Sequence, residues 1–229
     1  MPVLPGVPPV EVHLKRSARA RRFSLRVSRM DGRVTLSLPV RAREAEAMAF
    51  LRGQEAWLRA TLAALPVPAG LVGIGSVIPV EGRRLTIVPG TGRAITVDGD
   101  RLLVPGDPVV AGARVMAWLR VMARDRLAAA STRYAGLLGR RYTRLTLRDT
   151  RSRWGSCTAD GALMYSWRLI LAPPAVLEYV AAHEAAHLVE MNHSDAYWAV
   201  VARIYPGWKV QRDWLRQQGG VLHSYRFGD

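Results

Sequence analysis

Three of the five histidines in this 229-residue chain fall within eleven residues, and their spacing constrains the local fold more than any other feature. His183 and His187 stand four residues apart in the segment HEAAH, which matches the H-E-x-x-H pattern of zinc sites. Four helical steps rotate about 400°, so the two imidazoles lie about 40° apart on one face and about 6 Å apart along the axis. Both rings can then reach a single Zn²⁺, and the pattern predicts a helix that carries two metal ligands.

The third histidine can join the same metal only if the chain reverses. A continuous helix would place His193 about 15 Å beyond His183 along the axis. Asn192 tolerates the left-handed conformation found at helix C-termini, and Ser194 favours the start of a new helix. We therefore predict that the first helix ends at Asn192 and that His193 folds back as the third ligand.

Other forms of the motif fit this sequence less well. Glu190 occupies the position of the turn glycine in H-E-x-x-H-x-x-G-x-x-H proteins, so the turn must be built differently here. No glutamate follows Glu190, which argues against a glutamate as third ligand. A histidine cluster without metal is the remaining alternative. The residues around the motif are small and apolar, so the helix should be buried, and a metal would give the buried imidazoles a partner.

Glu184 is the candidate general base. It follows the first histidine by one residue, so its carboxylate projects beside the metal rather than onto it. From there it can accept a proton from the attacking water and pass it to the leaving group. The motif thus predicts a metal-dependent hydrolase with Glu184 as catalytic base and His183, His187 and His193 as ligands of Zn²⁺.

The hydrophobic pattern predicts strands and helices in alternation. Alternating apolar and polar residues predict strands, and apolar residues at three- and four-residue steps predict helices. The predicted strands are 23–27, 34–38, 77–80, 85–88, 95–97, 102–104, 145–147 and 162–171. The predicted helices are 41–65, 108–138, 173–192, 194–205 and 208–218, with a linker at 66–75.

This order of elements predicts two parts. Residues 12–105 should hold an N-terminal hairpin, a helix and a small antiparallel sheet. Residues 108–218 should form the core that carries the histidine motif. The turn Asp31-Gly32 joins the two strands of the predicted N-terminal hairpin.

The charge of the chain is large and uneven. The formal net charge is +15, and residues 1–150 hold 25 Lys and Arg against 11 Asp and Glu. Such a surface could face nucleic acid, so we predict nucleic acid as a possible partner of the basic N-terminal half. A bias of the coding sequence explains the charge equally well, because 31 of the 33 basic residues are arginine in an alanine-rich chain.

Composition and the N-terminal sequence predict a cytoplasmic protein without a membrane anchor. The single cysteine, Cys157, excludes an internal disulfide and fits a reducing compartment. The N-terminal segment MPVLPGVPPV lacks the basic start of a secretory signal. An uncharged stretch at 60–80 is long enough to span a membrane, but repeated proline and glycine argue against a helix there.

Two segments resemble a known family. The sequence RDTRSRWGSC at 148–157, followed by SWRLILAPPAVLEYVAAHEAAHLVEMNHSDAYW at 166–198, is similar to YgjP-like metallopeptidases, a zincin-like branch near the SprT and WLM proteases. The resemblance covers roughly residues 12–218, which would form one domain. It implies a zincin-like α+β metallopeptidase core with an N-terminal β-rich subdomain. It also implies zinc bound by the three histidines and Glu184 as base, and it leaves the substrate open.

Further candidates lie near the motif. In zincins, a strand edge beside the active helix pairs with an extended peptide, which suggests substrate-binding roles for Arg153, Trp154 and Ser156. Arg153 or Tyr197 could stabilise the oxyanion. A loop that merely packs its tryptophan and pairs its arginine is the alternative.

The sequence therefore predicts a zinc metallopeptidase that acts on peptides or proteins. Two alternatives remain. One is a metal-dependent hydrolase of a non-peptide substrate such as a nucleotide. The other is a nucleic-acid-associated protein with structural zinc.

Overall fold

The computed structural model describes residues 2–28, 32–64 and 70–228 of the chain. Helices and strands are mixed along these residues, which confirms the predicted α+β class. The chain divides into two units, Met1–Val67 and Pro68–Asp229. The elements of the first unit are β1 (Val3–Leu4), β2 (Val10–Ser17), β3 (Ser24–Val27), β4 (Val34–Pro39), α1 (Glu44–Gly53) and α2 (Glu55–Ala63).

The first unit is a four-stranded sheet covered on one face by two helices. The strand order is β1-β2-β4-β3, and β3 pairs antiparallel with β4, as the alternating pattern predicted. Asp31 of the predicted turn lies outside the described residues. Strands β2 and β4 are parallel. Every second residue of β4 is buried, as are Val10 and Val12 of β2. The small core of this unit contains Leu4, Val10, Val12, Val34, Leu36, Leu38, Ala47, Leu51 and Leu58.

The single helix predicted at 41–65 is two helices in the structure. Helix α1 ends at Gly53 and α2 begins at Glu55, with Gln54 between them at φ −106° and ψ 8°. Glycine is the weakest helix former after proline, so Gly53 is a natural place for the break. Residues 65–69, which include the start of the predicted linker, lie outside the described residues.

The second unit holds the histidine motif. Its elements are β5 (Gly70–Leu71), β6 (Val77–Val80), β7 (Arg83–Gly90), β8 (Thr96–Asp98), β9 (Arg101–Pro105), α3 (Ala111–Leu137), β10 (Arg144–Arg148), β11 (Gly155–Cys157), β12 (Ala162–Ser166), α4 (Pro174–Ala186), α5 (Asp195–Ile204), α6 (Trp208–Gln218) and β13 (Tyr225–Arg226). Strands β5 and β13 form a two-stranded parallel sheet.

The sheet of β6 to β9 differs from the prediction in direction and in its place in the fold. The predicted antiparallel sheet is mixed, because β7 and β9 run parallel and the order is β6-β7-β9-β8. Its inward side chains, such as Ile87 and Leu102, share one hydrophobic core with α3 and α4. This sheet therefore belongs to the second unit, which begins at Pro68.

The sheet beside α4 has three strands in the order β10-β12-β11. Strands β11 and β12 form the expected antiparallel hairpin, while β10 runs parallel to β12. The strand predicted at 162–171 ends at Ser166, and Trp167–Leu171 form a 3₁₀ helix whose side chains are all buried. A continuous apolar run does not distinguish a buried strand from a buried helical turn, which explains the difference.

One arginine ties the loop before β11 to the C-terminal segment. Arg168 is 9% exposed and forms a bidentate ion pair with Asp149, at 2.7 and 3.0 Å. It also donates to the carbonyl oxygens of Leu222, at 3.0 Å, and Tyr225, at 2.9 Å. Burial would raise the pKa of Asp149, but the hydrogen bonds and charge of Arg168 outweigh it and lower that pKa. The guanidinium thus joins three segments: the 3₁₀ helix that contains Arg168, the loop at Asp149 and the C-terminal segment.

Among the helices of the described residues, none has both the length and the apolar character that crossing a bilayer requires.

Candidate metal centre

Helix α4 carries the first two histidines and Glu184. Pro174 occupies its first turn, where proline is tolerated, and most of its side chains are buried in the core of the second unit. The prediction that this helix is buried is therefore confirmed. The helix is shorter than predicted, because it ends at Ala186 with His187 as its C-cap.

The early end of α4 starts the chain reversal. The N–H groups of Leu188 and Val189 donate to carbonyl oxygens three residues earlier, at 3.0 Å each, so the helix tightens and then stops. The chain next turns at Asn192, whose carbonyl oxygen accepts from Ser194 N at 2.8 Å. Ser194 then caps α5, as predicted, by accepting from the N–H of Tyr197. His193 lies inside this turn and is carried back towards α4.

The three imidazoles converge at one point. The Nε2 atoms of His183 and His193 are 3.1 Å apart, and one ligand atom from each of the three histidines lies within 4.8 Å of the others. Two nitrogen ligands of a tetrahedral Zn²⁺, each at about 2.0–2.1 Å, are about 3.3 Å apart. The observed spacing fits a shared metal ion, and the three histidines could hold one.

Two of the histidines, His183 and His187, are also held in the neutral form that binds metals. Burial, together with the proximity of His187, His193 and Arg212, lowers the pKa of His183 to about 3. Burial lowers the pKa of His187 as well. Nδ1 of His187 lies 3.0 Å from the carbonyl oxygen of Glu190, which can only accept, so Nδ1 carries the proton and Nε2 keeps its lone pair.

Tyr197 connects the two helices of the site. Its side chain is fully buried and its ring stacks on His187, with centroids 4.5 Å apart. Its hydroxyl donates to the carbonyl oxygen of His183 at 2.9 Å. Tyr197 does not line the cavity beside the histidines. The hydroxyl is therefore already hydrogen-bonded, and the tyrosine contacts two of the candidate ligand residues without lining the cavity.

Glu184 lies beside the three imidazoles and beneath β11. The residue is 5% exposed, and burial raises the pKa of its carboxyl group to about 8 against the opposing effect of Arg153. Gly155 passes so close that a Cβ at this position would lie 2.6 Å from Oε1 of Glu184. Only glycine fits there without displacing the carboxylate. Sequence patterns did not predict this role, although the glycine between Trp154 and Ser156 is the one local sign of it.

A cavity of about 400 Å³ opens over these groups. The three histidines and Glu184 line it together with Ser152, Arg153, Gly155, Ser156, Cys157 and Met191. Two of the predicted substrate-binding residues, Arg153 and Ser156, thus face the cavity. Trp154 does not line it, because its ring packs against His223, at 4.8 Å between centroids, and against Gly219. For this tryptophan the structure agrees with the alternative of a loop that packs its aromatic ring.

Cys157 lines the cavity without acting as a metal-ligand candidate. Burial first, and then the nearby charges of Glu184 and Asp160, raise the pKa of its thiol to about 11. A thiol with that pKa stays protonated near pH 7, whereas the thiolate is the form that binds metals and attacks carbon.

Strand β11 presents an open edge to the cavity. Trp154 O accepts from Ser166 N, and Thr158 N donates to Ala162 O, so residues 154 and 158 bond towards β12. Because the direction of these bonds alternates along an antiparallel strand, Gly155 and Cys157 direct their N–H and C=O groups to the other side. In the described part of the chain no strand pairs with that side. An extended peptide could bind there as a further strand.

Comparison with protein families agrees with this architecture. The YgjP-like metallopeptidase domain model matches residues 21–218, which is most of the chain and includes all of the residues that line the cavity. No curated protein and no solved structure matches the sequence. The extent of the family match, together with three histidines that could hold the metal such a peptidase requires, leads to one conclusion: the chain belongs to the YgjP-like metallopeptidase family.

Proposed function

We propose that the protein is a zinc-dependent peptidase whose metal is held by His183, His187 and His193. The observation that carries the proposal is the convergence of three imidazoles beside a buried carboxyl group in one open cavity. Zinc suits this donor set, because catalytic zinc sites combine three protein ligands with one open position. When bound, zinc lowers the pKa of water and polarises a carbonyl group.

Glu184 is proposed as the general base. Its buried carboxylate lies next to the space where water and the scissile carbonyl would meet. Because residue 155 is glycine, no side chain lies between the carboxylate and β11 at that point. A carboxylate held there can accept a proton from the attacking water and then deliver it to the leaving amine. A nearby cation favours the charged form, so the pKa of Glu184 should fall from its value of about 8 when metal is bound.

The open edge of β11 favours a peptide over other substrates. The outward N–H and C=O groups of Gly155 and Cys157 match the backbone of an extended polypeptide. Arg153, whose exposed side chain lines the cavity, is the candidate that stabilises the oxyanion. We assign Tyr197 a positioning role instead, because its hydroxyl is bonded to a backbone carbonyl.

The two alternatives have less support. A structural zinc site is normally closed by four protein ligands, whereas these three histidines border a cavity of about 400 Å³. Nucleic-acid binding by the arginines of the first unit remains a prediction. A steep loss of affinity for nucleic acid as salt is raised would support it. A nucleotide substrate and the cytoplasmic location also remain predictions.

Replacement of Glu184 tests the assignment of the base. We expect Glu184→Gln to retain zinc, measured by elemental analysis, but to lose about 100-fold or more in kcat/KM on a peptide substrate. Glu178→Gln, the same change on α4 at a residue paired with Arg133, is the matched control and should keep its activity. A Glu184→Gln variant that cleaves peptides at the wild-type rate would refute the assignment.

Gly155→Ala tests the close approach of β11 to the carboxylate. The added methyl group would lie 2.6 Å from Oε1 of Glu184, so one of the two must move. We expect kcat/KM to fall about 10- to 100-fold, since small displacements of reacting groups are costly. Gly136→Ala in α3, where nothing lies within 4 Å of the new Cβ, should cleave like the wild type. If Gly155→Ala cleaved peptides as fast as Gly136→Ala, the close approach of β11 to Glu184 would be unimportant for activity.

Tyr197→Phe separates a positioning role from an oxyanion role. Loss of the hydrogen bond to His183 O should weaken zinc affinity about 10-fold, as other supporting contacts of metal ligands do. The zinc-saturated variant should keep most of its kcat. Unchanged zinc affinity with a fall in kcat of about 100-fold would instead assign the hydroxyl to the oxyanion.

A further inference from the structure

A second cavity continues the first along the same stretch of chain. It has a volume of about 270 Å³ and shares His187 and Met191 with the cavity above the metal ligands. Its floor is the turn at 158–161, which directly follows β11. We refer to these two neighbouring cavities, which share two lining residues, as the groove.

Two adjacent arginines stand at the far end of this groove. Arg140 and Arg141 line the second cavity, and both are exposed. The backbone fixes their position, because Gly139, two residues after the end of α3, has a φ of +62° and Arg140 N donates to Ala135 O at 2.9 Å. Thr143 N donates to Gly161 O at 2.9 Å and ties this segment to the turn. We call Arg140 and Arg141 the distal arginine pair.

The walls between the metal ligands and the distal arginine pair are apolar and exposed. Val189 is 38% and Met191 49% exposed, and both line the second cavity. One acidic side chain, Asp160, also lines it, so the arginines outnumber the acids. An extended chain that pairs with β11 would pass over these apolar side chains and then meet the two guanidinium groups.

The spacing sets which residue of a bound peptide would reach the pair. Gly155 is the residue of β11 that approaches Glu184, so we measure from there. A strand advances about 3.3 Å per residue, and the path from Gly155 to the start of the turn at Thr158 is therefore about 10 Å, or three residues. A carboxylate on that residue of the peptide would come within reach of two cations that sit beside an open groove. Guanidinium groups bind carboxylates with well-matched geometry.

We propose that this peptidase prefers polypeptides with a glutamate or aspartate two to four residues from the scissile bond, bound by Arg140 and Arg141. This specificity rests on the proposed peptidase function. The acidic residue lies on one side of the scissile bond only, because the distal arginine pair stands at one end of β11.

Matched peptides test the proposal on the full-length, zinc-loaded protein. Each pair carries glutamate or glutamine at one position, two to four residues before or after the scissile bond. We expect the glutamate peptide to have a kcat/KM about threefold to tenfold higher for positions on one side, since exposed ion pairs are weak. The ratio should fall as salt is raised. Equal cleavage of every pair at low salt would overturn the proposal.

Two double variants separate a local contact from the overall charge. In Arg140→Gln/Arg141→Gln the ratio should fall to about one. Arg120→Gln/Arg124→Gln removes the same charge from exposed positions of α3 that line neither cavity, and it should keep the wild-type ratio. A preference that survives the first change, or that both changes reduce equally, would refute the distal arginine pair as its source.

Binding to Glu184→Gln gives a readout that needs no turnover. Fluorescence anisotropy with the same labelled peptides should show the glutamate peptide binding about threefold to tenfold more tightly. Equal affinities would overturn the preference. Failure of the wild-type protein to cleave any peptide, including the neutral ones, would instead overturn the proposed function and this inference with it.

Discussion

The site depends on a reversal of the chain within six residues of His187. Helix α4 can present two imidazoles on one face, but no straight helix can add a third ligand ten residues after the first. The helix stops at Ala186, and the cap at Ser194 starts α5. Nε2 of His193 therefore returns to within 3.1 Å of Nε2 of His183. Every chemical property that we assign to the site requires this return.

The surroundings of the site keep that arrangement in place. Tyr197 joins α5 to α4 through its bond to His183 O and its stacking on His187. Arg168 holds the loop before β11 by pairing with Asp149. The histidines and the open strand edge are therefore each held by a contact to a residue that does not line the cavity. Such support is what a catalytic site needs to hold its groups in register.

Local patterns predicted the meeting of the histidines better than they predicted the strand directions. The spacing of His183 and His187, the return of His193 and the cap at Ser194 all follow from residues within a few positions of each other. The end of α4 was placed six residues too late, because Asn192 is a good helix stop but the reversal begins earlier with tightened turns. Apolar alternation gave most strands but not their direction, so the parallel pairs β7–β9 and β10–β12 were missed.

Long-range contacts decided the remaining differences. The tight fit of Gly155 against Glu184 joins residues that are far apart in sequence, and no periodicity reports it. The same holds for Trp154, which faces the C-terminal segment at His223 rather than the cavity. The sequence predicted that Tyr197 binds substrate or stabilises the oxyanion, whereas in the structure its hydroxyl donates to His183 O and its side chain does not line the cavity.

X-ray absorption spectroscopy of the zinc-loaded protein tests the central claim most directly. If the chain reversal brings three histidines to one ion, the first coordination shell should contain three imidazole nitrogens and one further light atom at about 2.0–2.1 Å. The imidazole scattering should fall by one third in His193→Ala. A first shell with sulfur at about 2.3 Å, or with fewer than three imidazoles in the wild-type protein, would contradict the account.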